Sequence, residues 1–305
     1  MSSVEEVAAV LGATPTETEQ ASASAEPMEW TEIKSILRDA MTNQPRSLQQ
    51  ELGPSELGTD CLHCLAAKLA GWDQYDTSDG WIPWVGTSVH EKHERLFRDL
   101  NGSLMDTDSN TLRWKPEYKV TVGHLSGLNN GYDIIGHIDL WDRKTKSTID
   151  WKVVGPTTLK LAKANGASQT YAIQASLYGI GLMNEGESVE RSCIFFLAKT
   201  GQSLDDAYPL EFAFDPEPGY WALRRANLLA TLLDLIETEA GTSMRDEWIR
   251  RLPRTSTHCF DCSRFWDAAE ASALTSDFVQ PAFPMPERYR MFNELLEATY
   301  TPTTK

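Results

Sequence analysis

Residues 147–155, STIDWKVVG, have the composition of a buried β-strand yet carry Asp150 and Lys152 two positions apart. Side chains at i and i+2 of a strand point to one face. An aspartate and a lysine therefore share a face of a segment otherwise made of Ile149, Trp151, Val153 and Val154. The run before it, residues 131–142, contains IIGHIDLWD and also reads as a strand, and the polar connection DRKTKS between the two marks a hairpin. A turn centred between Lys144 and Thr145 sets Asp139 opposite Asp150. Two carboxylates so placed repel unless a cation lies between them. Hard divalent ions such as Mg²⁺ and Mn²⁺ take oxygen ligands in this way. Lys152, on the same face, can then orient or deprotonate water and neutralise charge developing on a phosphate. Taken alone, the Asp-x-Lys spacing is weak and fits an ordinary salt bridge on a solvent face better.

Outward from the hairpin, the pattern predicts one mixed sheet of an α/β fold. Strands are expected at 113–122, in VERSCIFFLAK and in AYPLEFAF, with helices at 168–183 and 216–240. Upstream, a helix is expected from Trp30 to Met41, and LGPSELGTDCLHCLAAKLAG reads as a turn and a helix ending near Gly71. GWIPWVG reads as a loop, followed by an amphipathic helix, TSVHEKHERLFRDL, with Val89, Leu96, Phe97 and Leu100 as its apolar stripe. Four segments result: a disordered acidic tail at 1–29, a helical segment at 30–85, a core at 86–240 and a C-terminal segment at 241–305.

A chain of 305 residues, 41% hydrophobic, can bury one large core. It has no run of 18 apolar residues and no basic, apolar leader, so neither a membrane span nor secretion is expected. Five cysteines, four of them in two CxxC pairs, fit a reducing cytoplasm and a metal site better than a disulfide scaffold. The net charge of −16 argues against a polyanionic partner. The acid is unevenly spread: residues 1–29 hold six glutamates and no Lys or Arg, leaving −10 on the rest. Between 143 and 163 the sign reverses, with Arg143, Lys144, Lys146, Lys152, Lys160 and Lys163 against Asp150 alone, a local patch for phosphates.

Two further pairs sit at helical spacing, His90 with Glu94 and Gln174 with Tyr178, each at i and i+4 on one face. HEKHE is not a zinc-protease helix, because His90 and His93 are three apart where that chemistry needs four. The ordered series Gly86-x₃-His90-x₃-Glu94, Gly136-x₂-Asp139, Asp150-x-Lys152 and Gln174-x₃-Tyr178 resembles the RecB-like nuclease domain of the PD-(D/E)XK superfamily, over roughly residues 55–265. By pattern it is most similar to CRISPR-associated RecB-like exonucleases and their phage-encoded cousins. The resemblance implies a restriction-endonuclease-like core in which His90, Asp139 and Asp150 bind Mg²⁺ or Mn²⁺ with the carbonyl of Trp151. It makes Lys152 the catalytic lysine, sets Gln174 and Tyr178 against that lysine or the DNA backbone, and has Glu94 support the ion's ligands. Glu117 is a weaker candidate behind those ligands.

The pairs Cys61/Cys64 and Cys259/Cys262, with 194 residues between them, point to one four-thiolate centre. In the resembled family a 4Fe–4S cluster sits here and clamps the segment before the His90 helix to the C-terminal segment. That family uses one early and three late cysteines, and the place for a third late one, around Asp267 or Ala268, holds none. The two-plus-two arrangement suits tetrahedral Zn²⁺ as well. Cys193 reads as a core residue, and Trp141, placed on the Asp139 face, is the tryptophan to watch for base stacking.

The function expected is metal-dependent hydrolysis of DNA phosphodiesters, as an exonuclease on single strands or ends in phage or prokaryotic recombination. A non-catalytic DNA-binding accessory protein and an iron–sulfur redox sensor are the alternatives.

Overall fold

Why the hairpin turns where it does is set by one side chain. Asp142 closes strand β2 (Tyr132–Asp142), and its carboxylate accepts bonds from Arg113 Nε and Nη2, each 2.9 Å, from Lys144 N at 3.0 Å and from Thr145 Oγ1 at 2.8 Å. Charge-assisted bonds of this kind are among the stronger ones available to a turn. Strand β3 (Ser147–Val154) follows, paired as Leu140 with Ile149, Trp141 with Thr148 and Asp142 with Ser147. This is the register expected from the sequence. The ladder ends at Leu140 and Ile149, however, one step short of the two aspartates. Beyond it the Asp139 carboxylate takes the place of a backbone acceptor and receives the Trp151 amide at 2.7 Å.

The computed structural model describes residues 28–42, 51–75, 80–102, 112–127, 131–255, 259, 261–268 and 285–302. The expected tail at 1–29 lies outside the described residues except for its last two positions, which open a helix. Helix α1 spans Met28–Thr42, α2 Pro54–Leu57, α3 Leu62–Leu69 and α4 Trp81–Gly102. After β1 (Trp114–Leu125) and the hairpin come α5 (Pro156–Asn165), α6 (Gln169–Asn184), β4 (Arg191–Ala198) and β5 (Tyr208–Ala213). Helices α7 (Glu217–Ala240), α8 (Thr242–Arg250) and α9 (Glu287–Met291) complete the order. The five strands make one sheet in the order β1-β2-β3-β4-β5, antiparallel except for the parallel pair β3/β4. The parallel step requires a crossover, and α5 and α6 supply it.

Helices flank both faces. Leu177, Ile180 and Leu182 of α6 pack with Val120, Val122 and Ile138 of the sheet and with Leu229 and Leu233 of α7 in the main core. On the other face Phe97 of α4 packs with Trp114, Trp151, Leu140 and Phe195. No helix among the described residues is long and apolar enough to cross a membrane.

Three expectations are corrected. GWIPWVG is not a loop: α4 begins at Trp81, with Pro83 in the first turn, where its missing N–H costs no hydrogen bond. The division at 85/86 therefore falls inside a helix. The basic patch of 143–163 is dispersed, because Arg143 meets Glu187 at 3.2 Å, Lys146 meets Glu190 at 2.8 Å and Lys152 is buried against Asp150. Trp141 is fully buried in the main core and so presents no ring to a base.

Two polar side chains, one buried and one half-buried, tie distant segments to the core. Arg225 of α7 donates to the carbonyls of Leu57 and Thr59 at 2.6 and 2.7 Å and of Ala298 at 2.9 Å. Gln169 of α6 bonds the carbonyls of Gly58 and Ala298 and accepts the Tyr300 amide. Early and late parts of the chain thus meet at the start of α6.

Candidate functional site

The hairpin, α4 and α6 bring the sequence-predicted residues together. His90, in the third turn of α4, places Nδ1 3.3 Å from Asp139 Oδ1. Lys152 Nζ lies 2.8 Å from Asp150 Oδ2 and donates to Gln174 Oε1 at 2.9 Å. Gln174 Nε2 in turn donates to the Tyr178 hydroxyl at 2.8 Å. The i and i+4 spacing on α6 thus builds a relay, Asp150–Lys152–Gln174–Tyr178, that fixes the lysine head. Gly136 is needed for the same arrangement: a Cβ there would stand 3.0 Å from the Tyr178 ring and 3.1 Å from Pro54. At Gly86 a Cβ would meet nothing within 4 Å, so packing gives that glycine no role.

Burial sets the charges. It pushes the Asp150 carboxyl up to about 6, with Lys152 opposing the rise and Asp139 adding to it. Burial works against the Lys152 ammonium, but Asp150 beside it holds its pKa above the ordinary lysine range. At neutral pH both members of the pair are therefore charged. His90 follows the same logic: burial lowers it, and Asp139 more than offsets this.

Glu117 contributes more than the sequence indicated. It sits between the ladder pairs Pro116/Leu140 and Tyr118/Ile138, level with Asp139 but outside the ladder, with φ at 47°. That left-handed backbone is uncommon for a residue with a Cβ, and strain of this kind collects at functional positions. The ligand atoms of His90, Glu117 and Asp139 all lie within 4.8 Å of one another, a group that could hold a metal ion. Asp150 is not in that group, being held by Lys152. Trp151 presents its amide to Asp139, while its ring packs against His93 at 4.7 Å. Glu94 is ion-paired with Arg98 one turn on, at the rim. A cleft of about 540 Å³ opens over these groups, lined by His90, Glu94, Asp139 and Tyr178 and also by Glu56 and Glu91, which the sequence did not single out. The two carboxylates are donors that suit hard divalent ions, whereas the imidazole is a donor that softer ions also accept.

The four paired cysteines converge as expected. Cys61 Sγ is 3.5 Å from Cys262 Sγ, and Cys64 Sγ is 3.3 Å from Cys262 Sγ and 3.4 Å from Cys259 Sγ. Bonds from Cys259 and Cys262 hold the Cys61 thiol well below its ordinary range and push Cys64 above it. His63, between the first two cysteines, joins them: the ligand atoms of Cys61, His63, Cys64 and Cys262 lie within 4.8 Å of one another. Sequence reasoning passed over it although it stands inside CLHC. Cys193 lies apart, buried with Leu140 and Ile149, in keeping with a core role.

No protein-family profile matches this chain, and no curated protein matches it. Among solved structures, the crystal structure of SSO0001 is similar at 14% identity, covering 65% of this chain and 86% of that one with a TM-score of 0.42.

Proposed function

We propose that this chain is a divalent-metal-dependent DNA nuclease with a PD-(D/E)XK core, acting as an exonuclease on single strands or DNA ends. The reading rests on one observation, the Asp150–Lys152–Gln174–Tyr178 relay set beside His90, Glu117 and Asp139 at the mouth of a cleft. A salt bridge with no further task has no need of a buried lysine held from two sides or of a carboxylate on a left-handed residue. Mg²⁺ or Mn²⁺, held by His90, Asp139 and Glu117 with Asp150 adjoining, would supply a Lewis acid for the phosphate and a more acidic water.

The chain's own part follows from its geometry. Asp139 is oriented through one oxygen by the Trp151 amide and through the other by His90. Lys152, kept protonated by Asp150, is placed to stabilise charge developing on phosphate oxygens rather than to remove a proton from water. Tyr178 and Gln174 restrict where its ammonium can go. The lining of the cleft, with Glu56, Glu91, Glu94, Glu117 and Asp139, is strongly acidic and repels a phosphate backbone unless cations bind first. This favours a metal-loaded enzyme over a protein that holds DNA without catalysis. The paired thiols favour a reducing compartment, the cytoplasm of a prokaryote or of a phage-infected host.

The test uses purified protein with end-labelled single- and double-stranded DNA in Mn²⁺, Mg²⁺ or EDTA. Cleavage that needs the ion and releases nucleotides from ends supports the proposal. Persistent DNA integrity under every ion condition would remove it.

A further inference from the structure

We infer that Cys61, Cys64, Cys259 and Cys262 hold a single tetrahedral ion of the zinc class rather than the 4Fe–4S cluster of the resembled family, and that His63 positions their thiolates around it. The spacing of the sulfurs is the first reason. A tetrahedron with zinc–sulfur bonds of about 2.3 Å has sulfur–sulfur edges of about 3.8 Å. Three of its six edges, Cys64–Cys262, Cys64–Cys259 and Cys61–Cys262, measure 3.3, 3.4 and 3.5 Å, within about half an ångström of this. In a four-iron cluster each thiolate holds a different iron at a separate corner, so its sulfurs stand further apart than those around one ion. Cys61, Cys64 and Cys262 share the main core with Leu62, Leu65 and Phe265, each no more than 2% exposed, which leaves little room to open the site that far.

The second reason is what occupies the place of the missing late cysteine. Asp267 is there, and it is buried with its Oδ2 3.0 Å from His63 Nε2. Arg254 bonds the same oxygen. Burial works against the Asp267 carboxylate, but His63 and Arg254 hold it below the usual range, so it stays charged. The other nitrogen of His63, Nδ1, lies 3.7 Å from Cys64 Sγ. Trp72 and Phe265 meet the ring edge-on, each at 5.8 Å, and fix its plane. In zinc sites a carboxylate commonly orients an imidazole that binds the metal; here the same pair is set one layer further out, with the other nitrogen towards Cys64 Sγ. Where the family pattern has a thiolate, this chain has built that layer instead.

The proposal involves residues other than those of the cleft, so it stands or falls separately from the nuclease reading. The wild-type chain is produced with both iron and zinc supplied, purified without oxygen, and analysed for metals, acid-labile sulfide and visible absorption. The expected protein is colourless, with one zinc per chain and no sulfide. A brown protein with iron and sulfide in equal amounts overturns the inference, as does a folded protein holding neither metal.

Cobalt exchanged into the site then tests His63. His63→Gln and Asp267→Asn should keep the cobalt absorption bands of the wild type, because the ligands are unchanged, while a competing chelator strips the ion roughly 10–100-fold more readily. Cys61→Ser should shift the bands. If His63→Gln shifts them in the same way, it is a ligand and not a positioning residue. If it leaves chelator resistance unchanged, it has no part in the site.

Discussion

Around Cys64 the neighbouring donors of Cys61, His63 and Cys262 are all out of water, whereas around Asp139 the group of His90, Glu117 and Asp139 is only half-buried. The first cluster is soft, sulfur-rich and part of the main core, with Leu62, Leu65 and Phe265. The second is hard, acidic and open to a cleft of about 540 Å³. Structural metal sites close their coordination and catalytic ones keep a position open, so on the proposed reading the two clusters divide the labour between holding and reacting. They also differ in what they join. The sulfurs connect segments nearly two hundred residues apart, while the acidic group is assembled by one hairpin, the strand beside it and the helix that precedes them. Losing a donor from one should cost stability, and from the other, rate.

The largest effect is expected in the cleft. Asp139→Asn should lower the cleavage rate by at least about 10²-fold, with circular dichroism and melting temperature close to wild type. A rate within a few-fold of wild type in the folded variant would remove Asp139 from the ion site. On the sulfur side, Cys61→Ser together with Cys64→Ser removes both early ligands, opens a long loop and should cost about 3–5 kcal/mol in the chain-entropy picture. Denaturant titration reads this directly. If instead the midpoint stayed put while cleavage vanished, the division of labour would be reversed.

Smaller changes sharpen the contrast. Tyr178→Phe keeps the core packing but removes the hydroxyl that Gln174 bonds, two steps from Lys152. A loss of a few-fold to about tenfold in kcat with little change in KM is expected, since the lysine is loosened rather than lost. An unchanged kcat would mean that the relay ends at Gln174. The smallest effect concerns the turn that sets the hairpin. Although burial opposes it, the bonds from Arg113, Thr145 and Lys144 hold the Asp142 carboxyl below its ordinary range. Its stabilisation is then fully present above the unfolded value of about 4 and is lost as pH falls through the lower folded value. Asp142→Asn should be about 1 kcal/mol less stable than wild type in urea at pH 7, and the gap should narrow near pH 3. A gap that widened in acid would contradict the sign.

Much of the acidic group was legible because its members stand at short, regular spacings. Asp150 and Lys152 share a strand face, Gln174 and Tyr178 a helix face, and the hairpin register places Asp139 at the same level. Glu117 was harder to see, since its position depends on a left-handed residue that no strand propensity encodes. The start of α4 was hidden by Trp81, Pro83 and Gly86, which imitate a loop, and α5 by a sequence, PTTLKLAKAN, with little apolar periodicity. The apparent basic patch failed for another reason. Two of its charges, Arg143 and Lys146, are paired with Glu187 and Glu190, some forty residues away in the chain and beside it in the fold, and Lys152 is turned inward to Asp150. At the sulfur site spacing revealed the cysteines, but not the roles of Asp267 and Arg254, which matter only because the fold lays Asp267 against His63 and Arg254 against Asp267. Arg225 and Gln169 are of the same kind, since the carbonyls they hold belong to segments that sequence alone does not bring near them.

Both halves of the comparison meet in one measurement on the wild-type protein. EDTA is added at neutral pH, and DNA cleavage, melting temperature and thiolate-bound metal are followed in the same sample before and after Mn²⁺ is returned. The expected result is cleavage abolished and then restored by Mn²⁺, while the melting temperature and the thiolate metal stay within error of their starting values. Cleavage that persists in EDTA, or that disappears only in step with melting and loss of the thiolate metal, would contradict the assignment of chemistry to the cleft and anchoring to the sulfurs.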